Sequence, residues 1–140
     1  MSAYLVVAHR TLVEDHLLDH VRELGADSFH LVVPVTHPAG AWSDGEVTAA
    51  AQARLDEGLA AFRRAAPGCA LTGEVGDANP VYATAAALRA QPDRDWTGII
   101  VSTLPPGVSR WLGLDAVSRI RREFDLPVAH LVATRVAADA

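Results

Sequence analysis

The chain contains no lysine; all twelve of its basic residues are arginine. A Walker A phosphate loop cannot be built without its lysine, so that class of nucleotide binder is excluded. Schiff-base chemistry on a lysine amine goes with it. Cysteine is nearly as scarce. The single Cys69 rules out an internal disulfide and any cysteine-rich metal site, and is expected as a small residue, buried or half-buried. No apolar run approaches the roughly 18 residues of a membrane span. The opening MSAYLVVAHRTLVED lacks a basic start and a long apolar stretch, so it does not read as a signal peptide. A cytoplasmic location and no membrane partner are the resulting expectations. There is no excess of positive charge either: the net charge is −5, which gives no support for a nucleic-acid partner.

What remains is a 140-residue chain, 50% apolar and 21% charged, enough for one domain with a sizeable core. Residues 1–135 are expected to form that domain and 136–140 a frayed tail. Tyr4 to Ala8 is a continuous apolar run, expected as a strand buried on both faces. Thr11 and Glu14 have capping-box spacing, so a helix is expected from Thr11 to Leu24, stopping at Gly25. Val13, Leu17, Val21 and Leu24 form its apolar stripe. Ser28 to Thr36 is a second strand, with Pro34 ending the pairing on one side. His37-Pro38-Ala39-Gly40 is a loop. Ser43 and Glu46 form a second capping box, opening a long helix to about Ala65. Val47, Ala51, Leu55, Leu59 and Phe62 keep helical spacing along it.

Ala70 to Val75 is a weaker third strand. Asn79 is a good N-cap and Pro80 a good first helical residue, so a helix is expected over Pro80 to Ala90. Trp96 or Thr97 to Thr103 reads as the strongest strand. Pro105-Pro106-Gly107 then turns the chain into a last helix ending near Phe124, and Val128 to Ala133 is a fifth strand. The alternation βαβαβαβαβ predicts an α/β fold, a single doubly wound parallel sheet with helices on both faces.

The stretch from Gly98 to Phe124 is where such a sheet places a ligand, because a buried strand empties there through a Gly/Pro loop into a helix. The carboxyl ends of the strands would gather His9, Thr36, His37, Asp77, Ser102 and Thr103 near one cleft, as a polar ligand pocket or as loop residues that cap helices. His9, His37 and Asp77 have metal-ligand chemistry but no local spacing motif, and no metal is expected. His16 and His20 have i, i+4 spacing, yet His20 falls on the apolar stripe, so a packed helix face is the better account. Arg119, Arg121 and Arg122 spread around a helix and read as a solvated face. Trp42 and Trp111 lie in or beside loops and suit stacking on a base, an interface or a packed lid.

Several strings, in order and at matching spacing over nearly the whole chain, resemble the universal stress protein family. Gly76-Asp77 followed by a helix resembles that family's Gly-Asp/Asn-Pro junction. Gly107-Val108-Ser109-Arg110-Trp111-Leu112 resembles its Gly-Leu-Ser-Arg-Leu-Leu segment, and Leu126-Pro127-Val128 its Cys-Pro-Val strand start. The resemblance implies a five-stranded open sheet in the order 3-2-1-4-5, of the adenine nucleotide alpha-hydrolase-like class. It also implies a homodimer, through the edge strand Val128 to Ala133. ATP or AMP is the ligand it brings in; no cofactor is required.

Nucleotide-binding members share a glycine pattern after strand four, whose N–H groups approach the phosphates. Here Ser102 stands at the first glycine and Pro105 at the second, and the closing Gly-Ser/Thr falls on Leu114-Asp115. Asp115 would set a carboxylate where a phosphate sits, favoured by the helix dipole but repelling a triphosphate. His9 replaces the Asp that binders carry after strand one. If a ligand binds, His9 and Thr36 are expected near a base or ribose, and Ser102, Thr103 and Gly107 near a polar tail, with Ser109 a further ligand-binding candidate. Asp115 would exclude high phosphate charge.

A phospho-receiver reading lacks the acidic pair and the lysine. A flavodoxin reading lacks the Ser/Thr/Gly-rich phosphate loop, and Gly107-Val108-Ser109 lacks the nucleophile elbow of a hydrolase. The expectation is a small stress-response regulator, not an enzyme, that senses a nucleotide or other small polar ligand at the strand 1/strand 4 cleft, with reduced or lost ATP binding. A ligand-free dimeric interaction module with an unknown protein partner is the alternative, and a nucleotide hydrolase ranks last.

Overall fold

The structure, a computed structural model, describes residues 2–9, 11–35, 43–103 and 114–132. Thr36, His37, Trp42, Gly107, Ser109, Trp111, Ala133 and the tail 136–140 lie outside these residues.

The strands are β1 (Ala3–Val7), β2 (Ser28–Pro34), β3 (Ala70–Gly76), β4 (Trp96–Thr103) and β5 (Val128–Val132). They pair in parallel in the order β3-β2-β1-β4-β5. The helices α1 (Asp15–Leu24), α2 (Asp44–Ala65), α3 (Pro80–Ala90) and α4 (Leu114–Glu123) are the crossovers. The fold class and strand order are therefore those expected.

Successive strand residues point to opposite faces, and each face owns a separate core. On one, Val6, Phe29, Leu31 and Ile100 pack with Leu17 and Val21 of α1 and Leu55 and Phe62 of α2. Phe29 and Phe62 meet edge to face, with centroids 5.6 Å apart at 82°. On the other, Leu5, Val7, Val32, Ile99 and Val101 meet Val81, Ala83 and Ala87 of α3 and Val117 and Ile120 of α4. Full burial of each large side chain stabilises by about 1.5–3 kcal/mol. The central strands β1, β2 and β4 are largely buried on both faces, which is why each carries a continuous apolar run, such as Leu31-Val32-Val33 and Ile99-Ile100-Val101.

The expected caps were right for two helices and wrong for one. Ser43 accepts from the Glu46 N–H at 3.1 Å while the Glu46 carboxylate accepts from the Ser43 N–H at 3.0 Å. Asn79 accepts from Val81 and Tyr82 N–H groups, with Pro80 at the first helical position. Thr11 and Glu14, in contrast, form no capping box. α1 begins at Asp15 with Glu14 at the N-cap position, and Thr11 to Val13 form a turn. The reason is burial: Thr11 is 2% exposed, and its hydroxyl is taken by Ser102 on β4 instead of by its own helix. α1 ends as expected, on Gly25 in the left-handed region at φ 60°, where the missing Cβ removes the steric cost.

β2 separates from β1 after Val32 but stays paired to β3 as far as Pro34, so the proline closes the pairing on one side only. Gly73 is needed where β3 passes α2: a Cβ there would lie 2.6 Å from Leu55 Cδ1 and 3.1 Å from the Leu31 carbonyl oxygen. Cys69 is half-buried and donates to the Ala26 carbonyl at 2.8 Å. Burial, with a smaller contribution from Asp27, pushes its thiol pKa up, so it is an unreactive packing residue.

Candidate functional site

The carboxyl ends of β1 and β4 are adjacent in the sheet, and the residues that follow them carry the polar groups. His9, just beyond β1, is 8% exposed, and its carbonyl accepts from the Leu12 N–H. That turn directs Thr11 inward. Ser102, next to last in β4, is wholly buried. Its hydroxyl lies 2.6 Å from Thr11 Oγ1 and 3.1 Å from His16 Nε2.

Ser102 and Thr103 were expected in one cleft. As neighbours in a strand they face opposite sides of the sheet. Ser102 points to the α1 side. Thr103 lies 2.9 Å from His130 Nε2 of β5, which ties β4 to the edge strand. Asp77 is further away. It follows β3, three strand spacings from β4, or roughly 14 Å. It is exposed, and its carboxylate accepts from the Asn79 N–H at 2.8 Å, so its present role is to shape the turn into α3. The backbone of Asp115 lies in the first turn of α4, as expected. The structure thus gathers His9 and Ser102 at the β1–β4 junction, sets Thr103 on the other face, and leaves Asp77 outside.

Three residues of this site were missed from sequence: Thr11, His16 and His130. Thr11 was read as a helix cap and His16 as part of a packed helix face. A buried hydroxyl of β4 that needs partners draws both inward, and only the neighbouring strand shows that. The histidines respond to their surroundings. Burial lowers the His16 pKa, with Glu14 and Asp15 opposing the shift. Burial and the nearby Arg121 lower that of His130. A hydroxyl beside an imidazole is a nucleophile–base pair in form, but Ser102 is 0% exposed and no substrate atom can reach it. The arrangement holds the strand end and helix α1 together. Arg119 pairs with Glu123 at 3.3 Å on the outer face of α4, and Arg121 and Arg122 are exposed. Among the described residues no group of three or more His, Cys, Asp or Glu is placed to hold a metal ion. No helix among them is long and apolar enough to cross a membrane.

The fold just described occurs in a solved structure. The crystal structure of a protein from the universal stress protein family from Burkholderia pseudomallei superposes with a TM-score of 0.58 over 92% of this chain and 94% of that one. The fold is that of a universal stress protein. Sequence identity over the match is 20%. No protein-family profile matches the sequence, and no curated protein matches it. The likeness is therefore one of fold, at low sequence identity. Ser102, at the end of β4, is buried and bonded to Thr11 and His16.

Proposed function

We propose that this chain is a small regulatory protein with a universal-stress-protein-like fold, whose ATP binding is reduced or lost. The observation that carries this reading is Ser102. A glycine at that position lets the backbone approach a phosphate. Ser102 instead carries a hydroxyl turned into the protein and bonded to Thr11 and His16. The strand end is occupied by the chain's own polar groups, and its role there is exerted without catalysis. The backbone of Asp115 lies in the first turn of α4, and an acidic residue type at a helix start weighs against a phosphate there. A smaller, less charged polar ligand near His9 is compatible with this arrangement.

A specific feature also favours homodimerisation through β5. It is an edge strand whose residues Val128 to Leu131 are only half-buried, and Val132 is one of two large hydrophobic residues exposed among those described. An unprotected edge of this kind is a template for pairing with a second copy.

Equilibrium binding of labelled ATP and AMP to the purified protein tests the nucleotide reading. No saturable binding at millimolar nucleotide is expected. Micromolar binding of ATP that is lost in Gly107→Val would overturn it and make the chain a nucleotide sensor.

A further inference from the structure

Outside that cleft, on the β2–β3 edge of the sheet, a third hydroxyl–imidazole pair differs from those of Ser102 and Thr103 in one decisive respect: its hydroxyl is exposed. His30 and Thr72 are register partners on neighbouring strands, and Glu74 is two residues along β3. These even-numbered positions share a face. Thr72 Oγ1 lies 2.7 Å from His30 Nδ1, and Glu74 Oε2 lies 2.9 Å from His30 Nε2. The imidazole is almost wholly buried, at 4% exposure, while Thr72 is open to solvent.

A guanidinium completes the group. Arg94 Nη1 donates to Thr72 Oγ1 at 3.5 Å and to Gln91 Oε1 at 2.7 Å, and Nη2 donates to Ser28 Oγ at 2.9 Å. Its plane is held over Trp96, 4.8 Å from the ring centroid. Among the described residues these partners are all neutral oxygens, so its charge is not spent on a carboxylate. Arg94 also lines a cleft of about 450 Å³ with Ser2, Ala3, Ser28, Asp93 and Asp95.

The donor inventory orients the chain of bonds. An ionised Glu74 carboxylate only accepts, so His30 Nε2 carries the ring proton and donates to it. In the neutral imidazole Nδ1 is then the acceptor, and Thr72 Oγ1 donates to it while accepting from Arg94 through a lone pair. This is the order nucleophile, base, orienting carboxylate, with a cation beside the nucleophile. All three side chains stand on paired strands, which fixes their separation.

We infer that Thr72 is the nucleophile of an acyl-transfer site for small esters and thioesters, with His30 as its base. It extends beyond the nucleotide-cleft reading and does not depend on it. Thr72 Oγ1 attacks the acyl carbonyl carbon as its proton passes to His30 Nδ1. The oxyanion that forms is stabilised by the Arg94 guanidinium. Collapse breaks the bond to the leaving alkoxide or thiolate, which takes the proton back from Nδ1. Water then attacks the acyl-threonine with the same base and releases the carboxylic acid and the free hydroxyl. Glu74 is a positioning residue that acts through His30.

The probe is p-nitrophenyl acetate. The wild-type chain is expected to release p-nitrophenol faster than buffer. Acid-quenched protein should carry one acetyl group on the peptide containing Thr72. Thr72→Val, close in shape, should lose the adduct, and Thr72→Ser should keep it. His30→Gln should slow acylation by on the order of 10²-fold or more. Glu74→Gln should lower kcat with KM unchanged. Thermal melts of each variant separate loss of chemistry from loss of fold. The wild-type adduct needs no variant: if quenched protein carries no acetyl group on Thr72, the inference fails. It fails also if a folded His30→Gln variant acylates at the wild-type rate. ATP binding, present or absent, bears on neither outcome.

Discussion

The Thr11 and Ser102 hydroxyl oxygens lie 2.6 Å apart across 91 residues of chain, and both residues are buried. The contact joins the turn before α1 to the end of β4; Thr11 is satisfied by Ser102, while Ser102 has His16 as a second partner. Ser102→Ala and Thr11→Val should each destabilise the protein by about 1–3 kcal/mol, because the surviving partner is left buried with fewer bonds. The double variant should cost less than the sum of the two, since the groups act as one unit. Urea denaturation of the two singles and the double gives that coupling directly, and strict additivity would show that the contact contributes nothing.

His16 makes the same junction sensitive to acid. Its pKa in the folded chain is below the ordinary 6.5, chiefly through burial. The unfolded chain therefore binds the proton more readily. The stabilising contribution is complete above 6.5 and is lost as pH falls through the depressed folded value. The midpoint of thermal unfolding should drop across that window, and His16→Asn should flatten the drop. His130 shifts in the same direction, so part of the slope should survive in the single variant. An unfolding midpoint independent of pH there would refute this account of both histidines.

α2 depends on its first turn. Ser43 and Glu46 satisfy each other's backbone N–H groups, so Ser43→Ala should cost about 1 kcal/mol. Glycine at 43 should cost only a few tenths of that scale. A chemical-denaturation series over the three side chains checks the order.

Gly73 lets β3 lie flat against Leu31 and Leu55. Gly73→Ala should cost about 1–3 kcal/mol through overpacking, since its Cβ would meet a backbone oxygen at 3.1 Å as well as a side chain at 2.6 Å. Because Thr72 and Glu74 flank it, the same variant should also slow acylation of Thr72. Stability and acylation rate measured on one preparation compare the two effects.

The β5 edge gives a prediction about assembly. Sedimentation equilibrium should show a dimer. Val132→Asp, at a position 39% exposed in one chain, should shift it to monomer by placing a charge in the interface. A wild-type chain that stays monomeric at high concentration would remove β5 as the dimer edge.

Much of this architecture was legible before any coordinates. The apolar runs of β1 and β4 are buried on both faces because a doubly wound sheet has no wet side, and such runs identify themselves. Ser43-Glu46, Asn79-Pro80 and Gly25 mark helix ends because their chemistry is local, within a few residues of backbone. Thr11 and Glu14 show the limit of that reasoning. Their spacing promises a cap, yet a buried hydroxyl of a distant strand competes for Thr11 and wins.

Sequence alone therefore determined the class of fold and the number and order of its elements. The tertiary structure decided which polar groups meet: Thr11 and His16 on Ser102, Thr103 on His130, and His30 between Thr72 and Glu74. Apolar periodicity and capping are properties of neighbours in the chain and can be read from it. A hydrogen bond between side chains dozens of residues apart depends on strand register and on which face each residue takes, and those are set only when the sheet closes.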